Sequence, residues 1–286
     1  MDWTRARAIL LVAFAVVNLL LAFSLWGPKG DLATAEPTAR WQLVQLQDRL
    51  DERGLLLPSG IALPATPGPM YFLRVEFRPY PGNREHASEP SEGIVSASDM
   101  RYRHDPSTRE MVFEPSDPRS TPAPDLADRL ALRAAAEQYL RAHGLMPAGA
   151  QMSGVFRRES GGAMVEYVPV YDGLPVYSGY VRVYFSERGV VRVVQHWVEP
   201  VGFKEGPPKA VRPAAEALLR LAGHLEQESE HVRTIVDVRL GYYSGPSVTV
   251  SAAGEISAWE TVPVWRITLD NGLVYYVNAF NGELES

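Results

Sequence analysis

A chain of 286 residues with 46% hydrophobic residues and no cysteine cannot be a disulfide scaffold, a thiolate zinc site or a thiol enzyme. Its net charge of -6, with a pI of about 5.6, argues against a dedicated surface for nucleic acid or anionic lipid. The length suits roughly two domains of about 150 residues, with enough apolar residues for proper cores.

From residue 8 to residue 26, AILLVAFAVVNLLLAFSLW holds 19 uncharged residues. At about 1.5 Å per residue this nearly spans a hydrocarbon core and predicts a transmembrane helix. Arg5 and Arg7 precede it, whereas Lys29 is followed by Asp31 and Glu36, so the positive-inside rule leaves 1–7 in the cytoplasm and exports the rest. Ala33, Thr34 and Ala35 form an A-x-A element that a signal peptidase could use. The apolar run, however, exceeds the usual h-region of about 7 to 15 residues, and Ala35 lies far beyond Trp26. A retained single-pass anchor in the cell membrane is the expectation, and both readings export the same domain.

Asn18 sits near the middle of this segment, where an unpaired amide is costly. A period of seven places Ala8, Ala15 and Ala22 at one seam position and Leu11, Asn18 and Leu25 at the other. Small residues and the amide then share a face suited to a partner helix.

The segment 27–37 is a tether. Leu43, Leu46 and Leu50 predict a helix over 38–53 closed by Gly54. A proline-rich passage leads to strand-like YFLRVEF at 71–77, and 79–93 is polar and loop-like. DMRYRHDPSTREMVFEP at 99–115 predicts a hairpin turning at 105–108. Pro115, Pro118, Pro122 and Pro124 mark a connection, after which Asp125 is a candidate N-cap for a helix ending near His143, with Gly144 beyond it.

Strands dominate 151–197: AMVEYVPVY, a turn at Asp172 and Gly173, PVYSGYVRVYF, a turn at 187–189, and VVRVVQHWV. A second cycle opens at Pro213, with Ala214, Ala217, Leu218, Leu221, Ala222 and Leu225 at helical spacing. IVDVRLGYY, VPVWRITL, a turn at 270–272 and LVYYVNAF follow, ending in turn residues Asn281 and Gly282. DGLPVY at 172–177 echoes NGLVYY at 271–276, so the two cycles look like a diverged repeat. Strands that run consecutively, without alternating with helices, give an α+β class. The predicted organisation is a tail at 1–7, a transmembrane helix at 8–26, the tether at 27–37, and extracytoplasmic units of helix plus antiparallel sheet at 38–118, 119–206 and 207–286.

A search for chemistry finds little. Ser178 and Ser244 lack the G-x-S-x-G setting of a nucleophile elbow and read as turn or strand serines. His86, His104, His143, His196, His224 and His231 form no H-E-x-x-H or H-x-H spacing, and His224 with His231 fits a solvated helix end. Asp172 and Asp270 sit in turns, and spacing does not pair them with Glu166 or Glu260 as glycosidase carboxylates. No phosphate-cradling glycine run exists. Trp259, Trp265, Tyr275, Tyr276 and Phe280 could line a groove, although strand alternation favours core and sheet-surface packing. No catalytic, cofactor-binding or metal-ligating residue is therefore expected.

The opening MDW, Arg5, Arg7, Ile9, Phe14 and the membrane Asn18 followed by Leu19 resemble the start of the YycI proteins. VYDGLPVYSGYV at 170–181 and VYYVNAFNGEL at 274–284 are similar to segments of YycI and its relative YycH. The resemblance implies a type II membrane protein, not an enzyme, that regulates an essential cell-wall sensor histidine kinase of the WalK or YycG type. It further implies association with that kinase and with a YycH-like protein, and exported PepSY-like, YycH-like α+β units. The competing class is an exported binding module that captures a peptide, glycan or protease through a sheet edge, its helix merely an anchor.

Overall fold

The computed structural model describes residues 37–78, 91–95, 100–105, 108–117, 123–157, 161–228, 232–245 and 258–285. The transmembrane candidate, the seam residues Ala8, Leu11, Ala15, Asn18, Ala22 and Leu25, and the A-x-A element lie outside them. Among the described residues no helix is long and apolar enough to cross a membrane. The chain divides into two compact units, 1–45 and 46–286. In the first, the described residues are the opening turns of helix α1 (Pro37–Asp51); all that follows concerns the second.

The fold is α+β with mostly antiparallel sheets and three helices among the described residues. After α1 come β1 (Leu55–Leu56), β2 (Leu73–Phe77), β3 (Ser91–Val95), β4 (Met100–Asp105) and β5 (Glu110–Pro115). Helix α2 (Arg129–Ala142) precedes β6 (Gln151–Arg157), β7 (Ala163–Val168), a small ladder of β8 (Val170–Tyr171) with β9 (Leu174–Pro175), β10 (Tyr180–Ser186), β11 (Gly189–His196) and β12 (Val198–Phe203). Helix α3 (Ala214–Glu228) precedes β13 (Arg233–Tyr243), β14 (Ala258–Leu269), β15 (Val274–Asn278) and β16 (Leu284–Glu285). The middle sheet has the order β3-β4-β5-β11-β10-β7-β6, and the other runs β1-β13-β14-β15-β16, with β2 joining β14 to β12.

Two expected details are corrected. The N-cap of α2 is Asp128, not Asp125: its extended backbone lets Oδ1 accept from Leu130 N at 2.8 Å and Ala131 N at 3.1 Å. Asp125 closes a turn one step earlier by accepting from Ala127 N at 2.8 Å. The end of the predicted loop 79–93 enters β3, an edge strand whose only strongly apolar residues, Ile94 and Val95, fall at its end and give little alternation to read.

Period-2 alternation explains how the layers stack. On β10, Val181, Val183 and Phe185 face α2 and join a core with Leu132, Ala136, Leu140 and Phe113, while Tyr180 and Arg182 occupy the opposite face. On β14, Trp265 and Ile267 are fully buried, and the Trp265 indole N–H donates at 2.8 Å to the carbonyl of Arg212, just before α3. Arg266, on the other face of β14, meets Glu166 of β7. The order is thus helix, sheet, sheet, helix, and β14 is buried on both sides.

The link 175–179 crosses between the sheets. Val176 bridges to Tyr242 in parallel, and Tyr177 N donates to Tyr242 O at 2.7 Å. Glycine is needed opposite this link: a Cβ on Gly241 would lie 2.5 Å from Tyr177 Cε2 and 2.6 Å from Pro175 O. Gly241→Ala is expected to cost about 1–3 kcal/mol by overpacking. Gly60→Ala, where an added Cβ meets nothing within 4 Å, serves as the control. Urea unfolding of the full-length chain in detergent checks this, and equal midpoints for the two variants would refute the junction.

Candidate functional site

Where the two sheets face each other at one end, they line a half-open cavity of about 330 Å³. Its walls come from distant parts of the chain: the β4–β5 turn supplies Thr108, Arg109 and Glu110, the link and β10 supply Tyr177, Ser178 and Tyr180, and β11 supplies His196. Tyr243 and Ser244 at the end of β13, Trp259 of β14 and Tyr276 of β15 close it.

Behind the cavity lies a buried ion cluster. Glu166 Oε1 accepts from Arg266 Nη2 at 2.8 Å, both side chains being only 3% exposed, and Oε2 accepts from Arg182 Nε at 2.8 Å. Ser153 Oγ accepts a further hydrogen bond from Arg266 Nη1. The Arg266 guanidinium lies 4.7 Å from the ring centroid of Tyr177 and 5.1 Å from that of Phe156, and Arg182 lies 3.7 Å from that of Tyr180. Burial alone would raise the Glu166 pKa, but the two guanidiniums outweigh it and hold the carboxyl below its ordinary range. This cluster ties β7 and β10 of one sheet to β14 of the other and reaches the cavity wall through Arg182.

Two hydrogen-bonded groups and one pair of stacked rings shape the walls. Ser244 N donates to Ser178 Oγ at 2.8 Å, Trp259 Nε1 donates to Ser244 Oγ at 2.7 Å, and the two hydroxyls lie 3.1 Å apart. Tyr180 O–H donates to Glu110 Oε1. Tyr243 and Tyr276 stack at 4.0 Å with an interplanar angle of 10°. Burial pushes the Tyr177 hydroxyl up to about 12, and that oxygen makes no hydrogen bond among the described residues. Arg109 holds φ at +57°, unusual for a residue with a side chain, and its guanidinium lies 5.4 Å from the ring centroid of Phe77 and 6.0 Å from that of Trp259.

His196 is the titratable ring of the site. Burial lowers its pKa from the ordinary 6.5, and Glu110 and the hydrogen-bonded backbone of Arg109 and Thr108 only partly oppose this. Between its folded value and 6.5 the unfolded chain takes up a proton that the folded chain refuses, so stability falls as pH drops below 6.5. Glu166 adds a second loss: its depressed value means that the contribution is complete above about 4.5 and disappears as pH falls through the folded value. Thermal midpoints measured from about pH 7.5 to pH 3.5 should fall in these two stages, and His196→Gln should flatten the first. An unchanged first stage in that variant would contradict the assignment.

The residues weighed from sequence fall in different places. Ser178 and Ser244 come together, bonded to each other and to Trp259, and neither hydrogen-bonds a histidine or a carboxylate among the described residues. Trp259 and Tyr276 line the cavity, whereas Trp265 belongs to the core, Phe280 packs beside Val176 and Tyr242, and Tyr275 Oη accepts from Arg233. Glu260 pairs with Lys204 at the surface, Asp172 adopts φ +48° in its turn, and Asp270 accepts from Thr234 N at 3.2 Å. His224 lies in α3, while His86 and His231 are outside the described residues. Among the described residues no group of three or more His, Asp or Glu could hold a metal. The cluster of Glu166, Arg182 and Arg266 escaped sequence reasoning, although each charge interrupts an apolar strand, which is the signal for a buried ion pair.

A family model described as YycI protein matches residues 129–280, a little over half of the chain. That span includes Tyr177, Ser178, Tyr180, His196, Tyr243, Ser244, Trp259 and Tyr276 of the cavity wall. No curated protein matches the chain. Among solved structures, one described as an uncharacterized protein from Eubacterium rectale ATCC 33656 matches with a TM-score of 0.47 and 10% identity, covering 85% of this chain and 98% of that one.

Proposed function

The chain belongs to the YycI family, and from that premise we propose that it is a membrane-anchored, non-enzymatic regulator of a WalK-type sensor histidine kinase. The family match carries this reading: membership is consistent with a regulatory role in a two-component system. In the proposed arrangement, 8–26 spans the cell membrane with 1–7 in the cytoplasm, and the exported part meets a YycH-like partner and the kinase. A helix followed by an antiparallel meander occurs twice, as α2 with β6, β7, β10 and β11 and as α3 with β13, β14 and β15. That recurrence supports PepSY-like, YycH-like units at 119–206 and 207–286, with the strands of 38–118 extending both sheets.

A regulator shifts a kinase only by binding its two signalling states with different free energies. A tenfold shift requires about 1.4 kcal/mol. One amide contact in lipid averages about 0.6 kcal/mol, so Asn18 must act with the alanine seam or with extracytoplasmic contacts. The test replaces 1–26 with an unrelated single-pass anchor and measures kinase autophosphorylation in membranes. Altered output supports helix-mediated regulation. Unaltered output would overturn it and favour the second reading, an exported binding module, for which the cavity with the buried Tyr177 hydroxyl at its wall speaks.

A further inference from the structure

We propose that the cavity takes an uncharged aromatic ring of about the size of indole. The first ground is the lining. Six of its residues carry rings, and the rings form two arcs. In one, the Tyr180 centroid lies 5.7 Å from that of His196, and His196 lies 6.5 Å from Trp259. In the other, Tyr177 lies 5.6 Å from Tyr276, which stacks on Tyr243 at 4.0 Å. Both arcs border the cavity, and the bond from Trp259 Nε1 to Ser244 Oγ, beside Tyr243, joins them. A flat guest ring gains face and edge contacts from such walls that an aliphatic guest cannot.

The second ground is that the charged and polar groups of the wall already have partners. Arg182 pairs with Glu166, and Glu110 accepts from the Tyr180 hydroxyl. Arg109 lies over the Phe77 and Trp259 rings and takes part in a further interaction. His196 is hydrogen-bonded to the backbone of Arg109 and Thr108, and burial favours its neutral form. The two serine oxygens lie 3.1 Å apart, and each already accepts an N–H. A charged guest would give up water without gaining a counter-ion, so the cavity selects for a neutral one. The third ground is size: about 330 Å³ is at the small end of ligand pockets and suits a fused pair of rings better than a polymer segment. A free small molecule and the side chain of a partner protein offer the same ring chemistry. The inference is independent of the kinase reading.

The test is a fluorine NMR titration of the full-length chain, in non-ionic detergent, with fluoroindole, with fluoroindole acetate as the anion and with fluorotryptamine as the cation, each against detergent alone. The neutral ring is expected to bind about tenfold more tightly than either charged form. N-acetyl fluorotryptophanamide separates the two sources: binding tighter than that of fluoroindole marks a partner's side chain, and weaker binding a free small molecule. Trp259→Ala should weaken binding about tenfold. Thr108→Trp, at an exposed turn position on the wall, should block it while keeping the thermal midpoint. No binding of the neutral ring beyond that of detergent, equal or tighter binding of a charged form, or undiminished binding by both variants would each overturn the proposal.

Discussion

Replacing Glu166 with leucine is expected to destabilise the chain by about 3–5 kcal/mol, because Arg266 would be left buried without its counter-charge. Arg266→Met should cost less, since Glu166 keeps Arg182 at 2.8 Å and that arginine reaches solvent, with 28% of its side chain exposed. Combining Glu166→Leu with Arg266→Met should recover about half or more of the loss, as buried ion pairs are often replaceable by apolar residues of similar size. The asymmetry between the single variants, and the recovery in the double, are read from urea midpoints. Additive losses would show that the two residues do not act as a pair. The expected consequence for the cavity is direct, because the same cluster fixes Arg182 against Tyr180 and holds β7 and β10 to β14.

Trp265→Ala is expected to cost about 3–5 kcal/mol, the range for removing a fully buried indole. The side chain is 0% exposed, and its N–H serves the Arg212 carbonyl, which anchors the entry to α3. Trp265→Phe should keep much of the packing but orphan that carbonyl, for a loss of about 1–3 kcal/mol. A Trp259→Phe variant at the cavity gives the contrast, with a smaller change in stability. If Trp259→Phe proved as damaging as Trp265→Ala, the division of the two indoles between cavity and core would be wrong.

Local signals carried much of the fold. Helical spacing marked Leu46 and Leu50 in α1 and Leu218, Leu221 and Leu225 in α3, all of which are buried. Turn chemistry located the reversals at Asp172 and Gly173, both at positive φ, and at Gly272 and Gly282, also at positive φ. Non-local pairing was not legible. Leu55 pairs in parallel with Arg233, and β2 inserts between β12 and β14, partnerships that no window of sequence encodes. The two indoles of β14 show why the site was hidden. Trp259 lies where the strand pairs with β2, and Trp265 where it pairs with β13 and β15; the change of partner between Thr261 and Val262 has no signature in a run of alternating residues. Arg109, His196 and Trp259 meet only because three separate strand ends converge at the cavity.

The proposed function comes down to one claim, that the chain works by binding a sensor kinase through the apolar segment 8–26. Co-purification from membranes of the native host, with an affinity tag placed after Ser286, tests it most directly when wild type is compared with the Asn18→Leu, Ala15→Leu double variant. Recovery of a sensor histidine kinase and a YycH-like protein with wild type, and their loss with the variant, is the predicted result. Recovery undiminished in the variant would contradict the seam, and absence of a kinase from both samples would contradict the regulatory account itself.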